Sequence, residues 1–178
     1  ADGFPGNLKD LFGIWSEELD VLYDNDSNTV IFNEKNELNL DGEYEAKIFC
    51  DLIHLQGAEA LAEYKHDFYA GRAALTVNDY GSGQAYYITS RNEQRFLNDF
   101  YNKLIKKLEI NKVLDLEIPT GVTAHKRSDN DNDYIFLMNF TKENKKINLN
   151  KKYYSLITNK VFIEKELNGY EVDVLKKV

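Results

Sequence analysis

The sequence has only one cysteine among its 178 residues, and this scarcity excludes a whole class of folds. A lone cysteine cannot form a disulfide within the chain, so the small secreted domains that depend on several disulfides are ruled out. Cys50 stands in an apolar run, where a buried and inert thiol is the expected role. The cysteine count suits a reducing compartment, and a cytoplasmic location is therefore the prediction.

Long hydrophobic runs are also absent from the sequence. No apolar run approaches the roughly 20 residues that a helix needs to cross a bilayer, and we expect no signal peptide. We therefore expect no membrane partner. The sequence starts with Ala1 rather than methionine, which favours a segment cut from a longer protein.

Positive charge is in short supply. The 22 Lys and Arg residues face 30 Asp and Glu residues, for a net charge of −8, and such an acidic surface argues against a nucleic-acid partner. The imbalance is uneven, because residues 1–117 carry 11 basic and 22 acidic side chains and residues 118–178 carry 11 and 8. Pro119 and Gly121 mark a boundary near this change of sign. We predict two domains, 1–117 and 118–178.

The first domain is predicted to be organised around a hairpin in residues 64–90. Leu75 and Val77 alternate with polar neighbours, which is the period of a strand with one buried face. Gly81 and Gly83 form the turn, since glycine reaches positive φ without a Cβ clash, and residues 84–89 return as the partner strand. Further strands are expected at 14–23, 29–33, 43–55 and 59–64.

A single long helix is predicted to follow the hairpin, over residues 91–108. Apolar residues recur there at steps of three and four, from Phe96 to Leu108, and so fall on one face. Ser90 is in the position of an N-cap, and Glu93, three residues later, completes the pattern of a capping box. The first domain is therefore predicted to combine a sheet with one long helix.

The second domain is predicted to contain about six short strands separated by polar turns. They are expected at 122–127, 134–140, 146–149, 153–157, 161–167 and 170–175. Regular short strands of this kind are typical of a small antiparallel β-sandwich. A unit of about 60 residues is only marginally stable by itself, so we expect it to lean on the first domain.

No stretch of the sequence matches a catalytic, metal-binding or cofactor-binding motif, and we predict none of these sites. The acids from Asp129 to Asp133 alternate like those of a calcium loop, but Tyr134 and Phe140 stand where that loop needs Gly and Glu. The three histidines show no metal-ligand spacing. The acidic stretch is therefore interpreted as a solvated hairpin loop.

Aromatic residues, in contrast, are abundant: the chain has 12 Tyr, 10 Phe and one Trp. Aromatic faces stack on sugars, although most aromatic side chains belong to cores or interfaces. Trp15 is a candidate because it lies between apolar Ile14 and polar Ser16, with a core or interface role as the alternative. The residues that we select as candidates for an interface or a sugar-facing surface are Trp15, His66, Asp67, Phe68 and Tyr69.

A series of separate motifs runs in order through nearly the whole chain. The main ones are Gly3-Phe4-Pro5-Gly6, Phe12-Gly13-Ile14-Trp15, Cys50-Asp51-Leu52-Ile53-His54, Gly57-Ala58-Glu59-Ala60-Leu61-Ala62, Asp67-Phe68-Tyr69-Ala70-Gly71-Arg72, Phe136-Leu137-Met138-Asn139-Phe140-Thr141 and Gly169-Tyr170-Glu171-Val172. Together they resemble the family 42 β-galactosidases. The earlier motifs are similar to the trimerisation domain of that family, and the last two are similar to its small C-terminal β domain.

The resemblance carries implications for catalysis. Members of the family are retaining β-galactosidases with a TIM barrel, a flavodoxin-like trimerisation domain and a C-terminal β domain. Both catalytic glutamates of the family lie on the barrel, and no barrel is present in this sequence. The resemblance therefore implies no catalytic residue at any position here, and access to a galactoside substrate only through the missing barrel.

The fold class that we predict is α+β. A partial flavodoxin-like or mixed β-sheet unit with one long helix is followed by a small antiparallel β-sandwich, and the early flavodoxin-like strands are expected to be missing. The expected function is a non-catalytic assembly and support region of a β-galactosidase that hydrolyses terminal β-galactosides, self-associating as the family's homotrimer. A free-standing carbohydrate-binding module is the alternative, and an amidotransferase-like enzyme is disfavoured because no Cys–His–Glu arrangement is visible.

Overall fold

The computed structural model describes residues 4–178, which form two compact units. The first unit ends at Ile110 and the second starts at Asn111. The boundary predicted from the sequence, between residues 117 and 118, lies seven residues further along. Leu114 and Leu116 pack into the core of the second unit, so residues 111–117 belong to that unit rather than to the first.

The first unit is mostly β. Its elements within the described residues are a 3₁₀ helix (Gly6–Leu8), α1 (Lys9–Phe12), β1 (Ile14–Val21), β2 (Asn28–Phe32), β3 (Glu43–Leu55), β4 (Glu59–Tyr64), β5 (Ala73–Tyr80), β6 (Gly83–Ile88), β7 (Ser90–Asn92) and α2 (Gln94–Lys107). Each of its strand pairs is antiparallel. The flavodoxin-like or mixed sheet expected from the resemblance is therefore not confirmed for this stretch, and α2 is shorter than the predicted helix.

The sheet of the first unit closes on itself. Its strands follow the order β1-β3-β2-β4-β5-β6, and β6 continues into β7, which pairs back onto β3 through Ala46 with Asn92 and Cys50 with Ser90. The two-residue turn between β5 and β6 places Gly81 at φ +60°, as the expected glycine turn requires. The pairing of β7 removes free backbone groups that an open sheet would expose on β3.

Aromatic side chains fill the main core of the first unit, where α2 packs on the sheet. Phe96 and Phe100 of α2 are buried with parallel rings whose centroids are 6.1 Å apart, and Tyr44 of β3 meets Phe96 edge-on at 5.3 Å. Tyr101 and Ile105, which the sequence assigns to the same buried stripe, are exposed. The helix therefore buries a narrower face than the apolar pattern predicts.

The predicted capping box is wrong. Ser90 lies in β7, α2 begins at Gln94, and Glu93 precedes it without a side-chain capping bond. The Glu93 carboxylate instead accepts hydrogen bonds from the backbone N–H of Glu45 at 3.2 Å and from Arg95 at 2.8 Å. The pairing of β7 with β3 extends the strand through the residues that the sequence pattern assigns to the cap.

The second unit is antiparallel, as predicted, but forms one five-stranded sheet rather than two separate sheets. Its strands within the described residues are β8 (Val122–Ser128), β9 (Asp133–Asn139), β10 (Lys145–Ser155), β11 (Val161–Leu167) and β12 (Val172–Lys177), in the order β11-β10-β12-β9-β8. Two predicted strands, 146–149 and 153–157, merge into β10. The register of β10 on β11 shifts between Asn148 and Tyr153, and Asn150 has φ +57°. A bent strand therefore replaces the expected break.

A buried ion pair links β11 to β12, which do not pair directly within the described sheet. The Lys165 side chain is 6% exposed, and its Nζ lies 2.9 Å from Oδ2 of the fully buried Asp173 and 3.1 Å from Oε1 of Glu171. Asp173 Oδ1 accepts hydrogen bonds from Ser155 Oγ at 2.6 Å and from the backbone N–H of Val174 at 2.8 Å. The ion pair therefore connects β11 and β12, which are not paired through their backbones.

Candidate functional site

The first unit carries an apolar cleft of about 670 Å³ that runs along β1. We call it the β1 cleft, and its lining includes Phe4, Trp15, Ser16, Glu17, Leu19, Phe49, Tyr87 and Ile88. Leu19 is 53% exposed, and Val21, two residues further along the same strand, is 66% exposed. Contiguous exposed apolar surface of this kind is typical of an interaction site rather than of free protein surface.

The position of β1 explains why this surface is uncovered. Within the described residues β1 has one strand partner, β3, and only an isolated bridge from Ser16 to Phe4 on its other side. Residues directly opposite one another in the ladder share a side, so Leu19 lies beside Asp51 and Val21 beside Phe49. An edge strand with apolar side chains is a natural place for another polypeptide to pack.

The cleft contains a carboxylate whose two oxygens are already occupied. Asp51 is buried, its Oδ1 accepts a hydrogen bond from Ser16 Oγ, and its Oδ2 accepts one from the Tyr87 hydroxyl at 2.6 Å. Burial, together with the neighbouring Asp51, raises the pKa of Tyr87. Because both oxygens accept hydrogen bonds from donors of the same chain, Asp51 has a structural role in holding β1, β3 and β6 together. Neither oxygen is available to a ligand as an acid or a base.

A second surface, which adjoins the β1 cleft, is built on Trp15. We call it the Trp15 platform, and it consists of Trp15, Glu17, His54 and Arg72. Trp15 lies opposite His54 in the ladder, and their ring centroids are 4.8 Å apart with a tilt of 37°. Glu17 Oε2 lies 2.7 Å from His54 Nε2 and accepts a hydrogen bond from Arg72 at 2.9 Å.

A β-bulge in β1 gives Glu17 its position. The register shifts between Ser16 and Glu18, so Glu17 has no partner in the ladder and its side chain reaches both His54 and Arg72. The hydrogen bond from Arg72, and then that from His54, holds the pKa of Glu17 below its usual range. The carboxylate is therefore charged and held between two partners at neutral pH.

The sequence-predicted candidates fall into separate environments. Trp15 is half-buried, His66 and Asp67 are exposed, and Phe68 is 72% exposed. Tyr69 is buried, and its hydroxyl donates to Asp20 Oδ2 at 2.8 Å, so its ring is not available to a ligand. The turn that contains these residues leads to Arg72, which brings that segment to Glu17.

Three of the platform residues were not selected as candidate site residues from the sequence. Glu17, His54 and Arg72 are spread over more than fifty positions and show no motif spacing. Pairing β1 with β3 in the correct register would have joined Trp15 to His54, but the bulge at Glu17 leaves no readable pattern in one sequence.

The described part of the chain has no candidate metal site and no helix that could cross a membrane. Residues 4–178 contain no group of three His, Cys, Asp or Glu side chains that could hold a metal ion. Neither α1 nor α2 has the length and hydropathy that a membrane crossing needs. The Asp129 loop is organised by its own hydrogen bonds, since Asp129 Oδ1 accepts from the backbone N–H groups of Asp131 and Asn132.

Comparison with family models matches almost the whole chain. Residues 1–111 match the β-galactosidase trimerisation domain, and residues 121–177 match the β-galactosidase C-terminal domain. The first match includes both the β1 cleft and the Trp15 platform.

Curated relatives agree with the family models. The chain is 49% identical over 177 residues to the β-galactosidase Pbg of Clostridium perfringens, covering 98% of this chain and 26% of that protein. It is 41% identical over 152 residues to the β-galactosidase BglY of Alicyclobacillus acidocaldarius, covering 85% and 22%. The chain thus spans about a quarter of the length of the curated relatives that it matches.

Solved structures share the fold. The β-galactosidase of Rahnella sp. R3 superposes with a TM-score of 0.81 at 41% identity, covering 99% of this chain and 26% of that one. The β-galactosidase of Bacillus circulans sp. alkalophilus superposes with a TM-score of 0.83 at 32% identity, covering 100% and 26%.

Proposed function

We propose that this chain, which belongs to the glycoside hydrolase family 42 β-galactosidases, is a non-catalytic assembly and support region of such an enzyme. The observation that carries the proposal is the coincidence of two features. The stretch that matches a trimerisation domain is also the stretch that exposes Leu19 and Val21 on an edge strand. The partner that we propose for this surface is a second copy of the chain.

The chemistry of the β1 cleft supports a protein partner rather than a substrate. The exposed Leu19 and the half-buried Phe49 are both apolar, and the buried carboxylate of Asp51 has both oxygens occupied. Burial of a leucine or valine side chain at an interface is worth on the order of 1.5–3 kcal/mol, so a few such contacts give measurable affinity.

The division of roles that we propose follows the two domains. Residues 1–117 carry self-association, which in the family leads to a homotrimer, and together with residues 118–178 they support the barrel of the parent enzyme. We propose that hydrolysis of terminal β-galactosides belongs to barrel residues outside this chain. The early strands of the flavodoxin-like fold are likewise proposed to lie outside it. A cytoplasmic location is part of the same proposal, because a single cysteine suits a reducing compartment.

Sedimentation of the purified chain over a wide concentration range tests the assembly role. We expect the mass to rise with concentration towards three copies. Substitution Leu19→Lys or Val21→Lys should weaken association at least tenfold, because each places an ammonium group in an apolar contact. Leu108→Lys is the matched control: Leu108 is 58% exposed, between Leu19 at 53% and Val21 at 66%, but it caps the C-terminus of α2.

Two results would count against the proposal. A monomer at every concentration would remove self-association as a function of this chain. Equal effects of Leu19→Lys and Leu108→Lys would remove the β1 cleft as its surface.

A chromogenic galactoside tests the non-catalytic part of the proposal. We expect no turnover by the isolated chain. Turnover that persists through purification and disappears on replacing one of the chain's own carboxylates would overturn it.

A further inference from the structure

We propose that the Trp15 platform binds a neutral saccharide, a role separate from assembly. Sugar sites commonly combine an aromatic face with a few convergent polar groups. The half-buried indole of Trp15 is steadied by His54, with 4.8 Å between their ring centroids. The indole supplies an apolar face for the C–H side of a pyranose ring.

The polar rim of the platform has hydrogen-bonding capacity left over. Both contacts of Glu17 use Oε2, so Oε1 is available to accept from a hydroxyl group. Arg72 has five N–H donors and gives one of them to Glu17. The Glu17 and Arg72 side chains are 42% and 36% exposed, which leaves both open to a ligand. A vicinal diol, which both donates and accepts, fits such a pair.

The charge of the platform selects a neutral ligand. The Glu17 carboxylate and the Arg72 guanidinium offset one another at a distance of 2.9 Å. A phosphate or carboxylate ligand would meet the negative charge of Glu17, and a cation would meet the positive charge of Arg72. A polyhydroxylated neutral molecule avoids both repulsions.

The platform adjoins the surface proposed for self-association, because Trp15 and Glu17 also line the β1 cleft, but His54 and Arg72 do not. Trp15 and His54 form one pair of the ladder, and the next pair, Ser16 with Ile53, points to the opposite side, where Asp51 lies. Leu19, which belongs to the cleft and not to the platform, is therefore the position that separates the two roles: Leu19→Lys should weaken self-association and leave saccharide binding within twofold.

Trp15 provides the measurement, because it is the only tryptophan in the chain. Its fluorescence is followed during titration with galactose and with lactose, and glycerol serves as a control for bulk polyol effects. We expect a saturable change with the sugars, together with protection of Trp15 from quenching by iodide, and a small linear change with glycerol. Sugar titrations that remain linear, or that match glycerol, would overturn the proposal.

Two neighbouring carboxylates supply matched variants. Glu17→Gln loses the charge that holds His54 and Arg72 and should weaken sugar binding at least tenfold. Glu18→Gln changes the next residue, which is exposed and outside the platform, and should leave binding within twofold. Equal binding by the two variants would overturn the proposal, and unchanged sedimentation of Glu17→Gln would show that assembly is a separate property.

Discussion

The two units of this chain hold their sheets together in different ways. In the first, backbone pairing closes the sheet through β7, and aromatic rings such as Phe96 and Phe100 fill the interior. In the second, the sheet has open edges at β8 and β11, and a buried Lys165–Asp173 pair links strands that are not neighbours. A closed backbone circuit leaves the core free to be apolar, whereas the open sheet relies on charge that is costly to disturb.

The largest expected effect removes one member of the buried pair. Lys165→Met should lower the free energy of unfolding of the second unit by about 3–5 kcal/mol, because the fully buried Asp173 loses its counter-ion. Among the described residues Asp173 Oδ2 has no hydrogen-bond donor of good geometry, so the ammonium group holds it by charge. Hydrogen exchange of the β11 and β12 amides in increasing denaturant measures the loss.

The matched control is Lys146→Met in the same unit. Lys146 pairs with Glu164 at 3.0 Å, but the two side chains are 70% and 55% exposed, so the loss should stay below about 1 kcal/mol. Equal losses in the two variants would contradict this prediction, since the buried ion pair would then stabilise the second unit no more than an exposed one. Trp15 lies in the first unit, so its fluorescence follows the unfolding of that unit alone. The midpoint denaturant concentration of this unfolding should be the same in both variants.

The next effect concerns backbone packing in the first unit. Gly13 has φ +60°, and a Cβ there would lie 2.5 Å from Asn78 Oδ1 and 2.8 Å from the backbone nitrogen of Ala58. Gly13→Ala should therefore cost about 2–5 kcal/mol, adding a packing clash to the left-handed conformation. Gly81→Ala, at the same φ with open space around it, should cost only about 1–2 kcal/mol.

Denaturant unfolding followed by Trp15 fluorescence compares these two alanine variants directly. A similar loss in both would mean that the segment around Gly13 yields, and that the first unit is less tightly packed than its closed sheet implies.

The smallest expected effect is a pH dependence with a different origin in each unit. In the second unit burial opposes the charge of Lys165, but Asp173 and Glu171 outweigh it and raise the pKa of Lys165. Its contribution is complete below the ordinary lysine pKa of about 10.4 and is lost as pH rises through the raised value. In the first unit burial and the hydrogen bond to Asp99 raise the pKa of Tyr44 to about 12, so its contribution is lost above about pH 10.

The acid side involves Glu171. Burial opposes its charge, but the backbone N–H of Asn168 and the Lys165 ammonium group lower its pKa. The contribution of Glu171 is present above the ordinary glutamate pKa of about 4.3 and is lost as pH falls through the lowered value. Unfolding measured across pH should show Lys165→Met flattening the alkaline slope only in the second unit and Tyr44→Phe only in the first. A common effect on both units would contradict separate origins.

Strands with a strong alternating pattern could be predicted from the sequence. The bounds of β3 and β4 were predicted correctly, because apolar side chains recur there with the strand period. The short strand β7 could not be, since Ser90 and Asn92 are polar, and their burial depends on pairing with residues 40 and 46 positions earlier. Local propensity carries no information about such a partner.

The candidate site shows the same division. A lone tryptophan beside a polar residue was enough to select Trp15, and its neighbours came only from the register of β1 on β3. Tyr69 looks like a surface aromatic in a polar stretch, yet its hydroxyl finds Asp20 on β1 and its ring is buried. The acidic residue that could hold a buried tyrosine is not recognisable until the strands are paired.

The return of β7 to β3 also sets the order in which this polypeptide can acquire its structure. Ala46 and Asn92 are 46 positions apart, and no local contact substitutes for their pairing. Closing such a long loop costs conformational entropy before the contacts that stabilise it can form. This pairing therefore belongs to the slow, late part of folding. A nascent chain must therefore emerge from the ribosome beyond Asn92 before the circuit of β3, β2, β4, β5 and β6 can be completed.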